Sequence, residues 1–175
     1  DDARNLTHLV QMLSLDHQAT LRPMPVTSRD LELSAAEYEV HVPENIDLVH
    51  LGLGPDGHTA SLVPNDSVLD VDDRRVAMTD TIYQGHRRMT LTYPALAAAR
   101  QILWLVVGEA AREPLAKLLA GDRSIPAGRV TGGGAVFSIR RGARRAIKRS
   151  RSAQTIVGRS SHGHGVDEGA STSTR

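Results

Sequence analysis

The order of hydrophobic and polar residues predicts helices and strands along most of the chain. In residues 5–18, leucine and valine recur at the three- and four-residue spacing of an amphipathic helix. Ser34, with Glu37 three residues later, is typical of a capping box, so we expect a short helix to begin there. Residues 46–52, IDLVHLG, are an apolar run between Pro43 and several glycines, which predicts a buried strand.

The same alternation continues toward the middle of the chain. Residues 74–81 and 87–93 alternate apolar and polar side chains, as half-buried strands do. Residues 94–100, PALAAAR, predict a short helix, and residues 101–108, QILWLVVG, predict a strand buried on both faces of a parallel sheet. Residues 110–120 predict another helix. The fold class is therefore α/β, with a Rossmann-like, open, mostly parallel sheet flanked by helices.

Composition and charge change near residue 140. Residues 1–139 contain 12 basic and 18 acidic residues, whereas residues 140–175 contain 9 basic and 2 acidic residues. The second segment is rich in Gly, Ser and Thr and has too little apolar area to offset the entropy of ordering it. We expect an α/β domain over residues 1–139 and a basic, mostly disordered tail over residues 140–175.

Some classes of function are disfavoured by composition. The chain has no cysteine, which excludes a disulfide framework and thiolate chemistry and fits the cytoplasm. The longest apolar run, residues 102–108, is too short to cross a bilayer, so we expect no membrane partner.

Candidate chemistry lies in the segment Leu51–Leu62, LGLGPDGHTASL, directly after the first predicted strand. Ligands of open α/β sheets bind beyond the carboxyl ends of strands, and glycines let them approach the backbone closely. His58 can take a proton from water, and Asp56 can orient its ring. Thr59 or Ser61 could cap a following helix whose N–H groups suit an oxyanion. A glycine turn with a surface histidine is also an ordinary connection, so spacing alone leaves catalysis open.

Residues 54–62, GPDGHTASL, resemble the signature of the 6-phosphogluconolactonase family. Further segments resemble family motifs in the same order: residues 2–15, 88–96, 105–109 and 125–130. The related deaminase/isomerase branch is expected to carry a Gly-His-Ile-Gly-Phe-Asn-type motif. The Thr-Ala-Ser that follows the histidine here favours the lactonase branch.

The resemblance implies an enzyme that hydrolyses 6-phosphoglucono-δ-lactone to 6-phosphogluconate in the oxidative pentose phosphate pathway, without metal or organic cofactor. A phosphosugar lactone would be its small-molecule partner. By the same resemblance, His58 is the general base on water, Asp56 supports it, and Gly54 and Gly57 shape the pocket.

Two arginines are candidates for holding the substrate. Arg88 opens the family's Arg-x-Thr-Leu-Thr block and suits phosphate geometry, although it could equally be a solvated charge at a strand end. The family usually carries a lysine shortly after the glycine equivalent to Gly108. Arg112 stands near that position and is the candidate substitute.

The chain also departs from the family pattern at both ends. It starts after the family's first strand, its Ser-Gly-Gly-Ser-type phosphate loop and its second strand, so we expect a sheet that is incomplete at the N-terminal end. An exposed sheet edge would invite self-association. After Val130 the sequence diverges into the arginine-rich segment. Whether this stretch is active therefore stays open.

Two alternatives belong to other classes. The chain could be a non-catalytic remnant of a sugar-phosphate fold. It could also bind nucleic acid through the arginines of residues 140–151, with strongly salt-dependent affinity. That cluster lacks interleaved aromatic residues for base stacking, which argues against nucleic acid as a partner.

Overall fold

The computed structural model describes residues 20–132, together with the strands at residues 134–139 and 153–156. The helix predicted for residues 5–18 lies outside this part of the chain. The helices are α1 (Leu31–Glu39), α2 (Tyr93–Ala97) and α3 (Arg112–Ala120). The strands are β1 (Ile46–Gly52), β2 (Val76–Met78), β3 (Met89–Leu91), β4 (Ala99–Val107), β5 (Gly134–Ile139) and β6 (Ala153–Ile156).

The main sheet has the strand order β1-β4-β5-β6, and every pair in it is parallel. In the β1–β4 pair, Ile46 lies opposite Ala99 and Gly52 lies opposite Leu105. Strands β2 and β3 form a separate antiparallel hairpin. This arrangement confirms the α/β class. It also brings the carboxyl ends of β1 and β4 to one edge of the sheet, where ligands of such folds bind.

Strand β4 is buried on one face only. Ile102, Trp104 and Val106 point into the core, whereas Leu105 is 36% exposed and Val107 is 61% exposed. The prediction of burial on both faces was therefore wrong. Successive side chains point to opposite faces of a sheet, and helix α3 and the loops after β1 pack against the face that carries Trp104.

The hydrophobic core consists of two clusters. The larger one joins β1 and β4 to α3 and to the loops, and its fully buried members include Leu62, Val68, Leu96 and Ala127. The smaller one joins α1 to the hairpin through Ala35, Val76, Met78 and Met89. An ion pair of 2.5 Å between Arg87 and Glu32 also connects the hairpin to α1.

The capping-box prediction placed the start of α1 too late. The helix begins at Leu31, and Asp30 caps it, with Oδ1 accepting from the N–H of Leu33 at 3.0 Å. Ser34 is buried inside the helix, and its N–H donates to the carbonyl of Asp30. Asp30 precedes Ser34 in the sequence, and its carboxylate accepts a backbone N–H of the first helical turn, so Asp30 is the N-cap.

The other predicted elements are present with different bounds. Strands β2 and β3 have three residues each, and the last residues of the predicted helix 94–100 belong to β4. A 3-10 turn over Glu109–Ala111 precedes α3, which ends at Gly121 with a left-handed φ of 67°.

Part of the predicted tail forms a strand. Strand β6 pairs with β5, and Ile156 lies opposite Phe137. These four residues are the described part of the predicted tail, and for the tail as a whole disorder stays a prediction. The arginines of residues 140–151 lie outside the described residues. Within the described part of the chain, no helix is long and apolar enough to cross a membrane.

Candidate active site

The loop after β1 turns back on itself directly beyond the strand. The N–H of Gly57 donates to the carbonyl of Gly54 at 3.1 Å, and the N–H of Gly54 donates to the carbonyl of His58 at 3.0 Å. These bonds hold the backbone of Gly54–His58 as a closed turn. The turn lies at the carboxyl end of the sheet, where the sequence placed the candidate chemistry.

No helix follows this turn, so the expected helix N-terminus for an oxyanion was wrong. The hydroxyl of Thr59 donates to the carbonyl of Gly52 at 2.8 Å, and its carbonyl accepts from the N–H of Leu62 at 2.8 Å. Between them Ala60 has a φ of +49°, which no α-helix accepts. The N–H of Ser61 donates to the hydroxyl of Thr90 instead. Local hydrogen bonds thus compete successfully with helix formation here.

His58 and Asp56 form a closely bonded pair. Nδ1 of His58 lies 2.5 Å from Oδ1 of Asp56, and the same oxygen accepts from the backbone N–H of His58 at 3.1 Å. A carboxylate at this distance places the proton of the neutral ring on Nδ1 and leaves the lone pair on Nε2. No hydrogen bond from the described residues reaches Nε2, and the His58 side chain is 22% exposed. This is the geometry of a general base.

The carboxyl of Asp56 is held in its charged form. Partial burial raises its pKa, but the hydrogen bonds from the ring and backbone of His58 outweigh that effect and bring the pKa below its ordinary value. Asp56 therefore stays ionised near neutral pH, as a partner that stabilises an imidazolium must.

Gly54 lies directly against the imidazole. A Cβ at this position would come within 2.0 Å of Nδ1 of His58 and within 2.8 Å of Oδ1 of Asp56. Any side chain larger than the hydrogen of glycine at position 54 would collide with the His58–Asp56 pair.

Gly57 connects the loop to the segment Pro126–Arg129. Its φ is +82°, and a Cβ on it would meet the side chain of Ile125 at 2.6 Å. Its carbonyl accepts from the N–H of Ala127 at 3.0 Å. Tyr93 supports the segment from beneath, because its hydroxyl donates to the carbonyl of Pro126 and its burial raises its pKa to about 12. Two motifs that are 70 residues apart in the sequence thus form one supporting layer.

Tyr83 is a site residue that the sequence reasoning missed. Its hydroxyl lies 3.3 Å from Oδ2 of Asp56 and 3.2 Å from Nδ1 of His58, and its ring meets the imidazole edge-on at 5.2 Å. Burial and the negative charge of Asp56 raise the pKa of Tyr83, and Arg88 opposes them. The sequence signal was an aromatic residue before a Gln-Gly turn, in a chain with few aromatics.

Asp66 anchors the base of the hairpin loop that carries Tyr83. It is 3% exposed, and its carboxylate accepts from the N–H groups of Val68, Asp80 and Thr81 and from the hydroxyl of Thr81. Burial raises its pKa, but these donors outweigh it and the pKa lies below the ordinary value. Buried polar groups of this kind fix one loop against another. This residue too was missed, since nothing adjacent in the sequence marks it.

The two candidate arginines have different surroundings. Nε of Arg88 donates to the carbonyl of Tyr83 at 3.3 Å, and Nη2 approaches Oε1 of Gln84 at 3.5 Å. Arg88 therefore contacts the turn that carries Tyr83, but no hydrogen bond or ion pair of the described residues joins its side chain to His58 or Asp56. Arg112 is exposed at the start of α3, where its backbone N–H donates to the carbonyl of Glu109, and no hydrogen bond or ion pair joins its side chain to another described residue. It shares the sheet edge with His58 but does not contact it.

A surface groove of about 570 Å³ lies on another part of the domain. Its lining residues are Leu69, Asp70, Tyr93, Pro94, Ala97, Arg123, Arg129 and Thr131. Neither His58 nor Asp56 takes part in it. Among residues 20–132 and the two later strands, no group of three or more His, Asp or Glu side chains is placed to hold a metal ion.

The parallel sheet, with the hydrogen-bonded His58–Asp56 pair beyond the carboxyl end of β1, defines an α/β protein. The sequence model of the family described as glucosamine-6-phosphate isomerases/6-phosphogluconolactonase matches residues 1–138. The chain belongs to this family.

Individual relatives agree with the family match. The chain is 36% identical over 116 residues to a 6-phosphogluconolactonase of Synechocystis, covering 60% of this chain and 47% of that protein. It is 33% identical over 127 residues to a 6-phosphogluconolactonase of Bos taurus, covering 69% and 49%. The chain therefore spans about half the length of these curated relatives.

A solved structure shows the same fold. The 6-phosphogluconolactonase of Thermotoga maritima superposes with a TM-score of 0.57 at 31% identity, covering 66% of this chain and 54% of that one. The fold predicted from the sequence is confirmed by this likeness.

Proposed function

We propose that this chain carries the hydrolytic site of a 6-phosphogluconolactonase, which opens 6-phospho-D-glucono-1,5-lactone to 6-phosphogluconate. The observation that carries the proposal is the 2.5 Å contact between Nδ1 of His58 and Asp56, with Nε2 left without a protein partner in the described residues. The relatives printed with this name, which match over the same region, support it.

The geometry suits a direct attack of water on the lactone. Nε2 of His58 removes a proton from water while the water oxygen bonds to the carbonyl carbon. The imidazolium so formed is stabilised by Asp56, which is already in hydrogen-bond contact. The tetrahedral intermediate then collapses by breaking the bond to the ring oxygen. The imidazolium returns the proton to that oxygen, and His58 is restored as a neutral base.

Arg88 is proposed to bind the substrate phosphate. Its Nη1 makes no hydrogen bond among the described residues, and its Nε and Nη2 contact the turn whose Tyr83 hydroxyl meets Asp56. Guanidinium and phosphate form strong charge-assisted hydrogen bonds. Arg112 is proposed as a second, weaker contact from the neighbouring strand end, in keeping with its exposed position.

The test is the hydrolysis of freshly generated lactone, measured against its spontaneous rate. The wild-type chain is expected to exceed the spontaneous rate, and His58→Ala is expected to lower kcat by at least about 100-fold, because general-base catalysis contributes about 10²–10⁴-fold. His50→Ala is the matched control, since His50 is exposed on β1 and lies outside the pair. A wild-type rate no higher than that of His58→Ala contradicts the proposal.

A second candidate is a sugar-phosphate-binding protein without hydrolysis. The observation that favours it is the groove of about 570 Å³, whose lining includes Arg123 and Arg129 but neither His58 nor Asp56. Binding to the folded state raises its stability by mass action. Thermal stabilisation by 6-phosphogluconate without hydrolysis would favour this candidate. The absence of both effects would exclude both functions for this chain.

We also propose self-association through β1 and a cytoplasmic location. Within the described sheet β1 pairs only with β4, and an unpaired strand edge is a template for another chain. Sedimentation velocity at rising concentration is expected to show a dimer, which Leu48→Lys should weaken because Leu48 is 54% exposed on that strand. A monomer at all concentrations contradicts self-association.

The proposed cytoplasmic location rests on the cysteine-free composition, and cell fractionation tests it.

A further inference from the structure

Tyr83 is held in place by the hairpin loop independently of its contacts with the site. Gln84 and Gly85 have φ values of +51° and +83°, as the two central residues of a type I′ turn require. The N–H of Tyr83 donates to the carbonyl of His86 at 3.0 Å, and the reverse bond measures 3.3 Å. Nε of Arg88, the residue before β3, donates to the carbonyl of Tyr83. The phenol is therefore presented by a preformed turn.

The hydroxyl of Tyr83 completes the hydrogen bonding of Asp56. Oδ1 of this carboxylate accepts from the ring and the backbone of His58, and Oδ2 accepts from Tyr83. Both oxygens are thus engaged, so rotation of the carboxylate breaks at least one bond. Since Asp56 is 37% exposed, its own loop does not enclose it.

The imidazole is also confined by its surroundings. Gly54 lies against one side of the ring, and the edge of Tyr83 meets it at an interplanar angle of 62°. The ring is therefore confined between Gly54 and Tyr83, and the contact of its Nδ1 with Asp56 directs Nε2 away from that carboxylate.

We propose that Tyr83 is a positioning residue that locks the Asp56–His58 pair into the Nδ1-protonated arrangement, so that Nε2 stays available as the base. It touches neither the attacking water nor the lactone in this role and acts through Asp56. The proposal rests on the proposed lactonase function for its catalytic consequence, but its structural part concerns the ring of His58 alone.

The test compares wild type with Tyr83→Phe, which keeps the ring and removes the hydroxyl. The ¹⁵N signals of the His58 imidazole report which nitrogen carries the proton. We expect the Nδ1-protonated form in wild type and a mixture of the two tautomers in Tyr83→Phe. We also expect kcat to fall about tenfold, the loss of one charge-assisted hydrogen bond, with KM changed less than about twofold.

Tyr38→Phe is the matched control. Tyr38 lies on α1 and packs against the smaller hydrophobic cluster, and its hydroxyl donates to the carbonyl of Arg22 at 2.7 Å. Loss of this hydroxyl should therefore leave the His58 signals and kcat unchanged. A second variant, Tyr83→Ala, removes the ring edge as well and should increase the share of the Nε2-protonated tautomer further.

The outcomes separate this proposal from the proposed function. Unchanged His58 signals in Tyr83→Phe overturn it, whether or not the chain is active. In an active chain, an unchanged kcat overturns it too. If wild type hydrolyses no lactone but the ring signals change as expected, the lactonase proposal fails and the positioning role of Tyr83 stands.

Discussion

The loops after β1 and β4 leave the same edge of the sheet, but only the loop after β1 is fixed by a dense set of hydrogen bonds. After β1, the residues from Gly52 to Leu62 are joined to each other and to Thr90 by closely spaced hydrogen bonds. After β4, Gly108 leads into a 3-10 turn and then α3, where the Arg112 side chain is exposed and makes no hydrogen bond to another described residue.

The glycines of the two loops serve different purposes. Gly108 has a φ of +94°, and no atom lies within 4 Å of the place where its Cβ would stand. At position 108 a glycine is needed because the backbone φ is positive. At Gly54 the limiting factor is space, because the ring of His58 occupies the position of a Cβ. A glycine therefore marks a site only when a functional side chain fills the room it leaves.

The largest effect is expected from Gly54→Ala. The added methyl must displace the imidazole, and a shift of about 1 Å in a catalytic group can cost about 100-fold in rate. Lactone hydrolysis should therefore fall by about that factor or more. Gly52→Ala, two residues earlier, is the control, since a Cβ there meets nothing within 4 Å. Equal activity of the two variants would show that the ring does not need this space.

The second effect concerns the stability of the loop and hairpin around the His58–Asp56 pair. Asp66→Ala leaves the buried N–H groups of Val68 and Thr81 without their acceptor, so we expect the free energy of unfolding to fall by about 2–4 kcal/mol. Urea denaturation measures it. Asp72→Ala, at an exposed aspartate of the same region, should change it by less than about 0.5 kcal/mol. A loss equal to that of the control would contradict the anchoring role.

The same residue predicts a dependence on pH. The pKa of Asp66 is lower in the folded state, so its contribution to stability is complete above the unfolded value of about 3.9 and is lost as pH falls through the folded value. Asp66→Asn cannot titrate in this way. The difference in unfolding free energy between wild type and Asp66→Asn should therefore narrow as pH is lowered below about 4. A constant difference would contradict the assignment.

The smallest effects should distinguish the two arginines. Arg88→Ala removes a cation held against the turn that carries Tyr83 and is expected to raise KM about tenfold. Arg112→Ala removes an exposed and well-screened cation and should raise KM about two- to threefold. Arg74→Ala is the control, because Arg74 is exposed and paired with Asp73. A larger effect at Arg112 than at Arg88 would reverse the comparison between the two loops.

Much of the fold was predictable because it follows from periodic burial. The strand at residues 46–52, the strand around Trp104 and the helix that ends at Gly121 have patterns that local physics reads directly. Predictions failed where a local signal had a competitor. Ser34 was the predicted cap of α1, but Asp30 caps it. A helix was expected after His58, but Thr59 instead bonds to the carbonyl of Gly52.

The site was predictable only as far as it is continuous in the sequence. His58, Asp56, Gly54 and Gly57 lie within five residues, and the structure brings His58, Asp56 and Gly54 into direct contact. Tyr83 and Asp66 depend on contacts with distant residues: Tyr83 meets Asp56 across 27 residues, and Asp66 accepts from Asp80 and Thr81 across 14 and 15 residues.

The sequence by itself determined the α/β class, the strand that ends at the glycine loop and the pair of residues that can exchange a proton. These depend on side-chain period and on neighbours along the chain, which a one-dimensional pattern contains. The tertiary structure alone decided that Gly54 makes room for the ring, that Tyr83 completes the bonds of Asp56 and that Arg112 stands apart. Contacts between distant segments depend on how the loops close in space, and no local pattern specifies that closure.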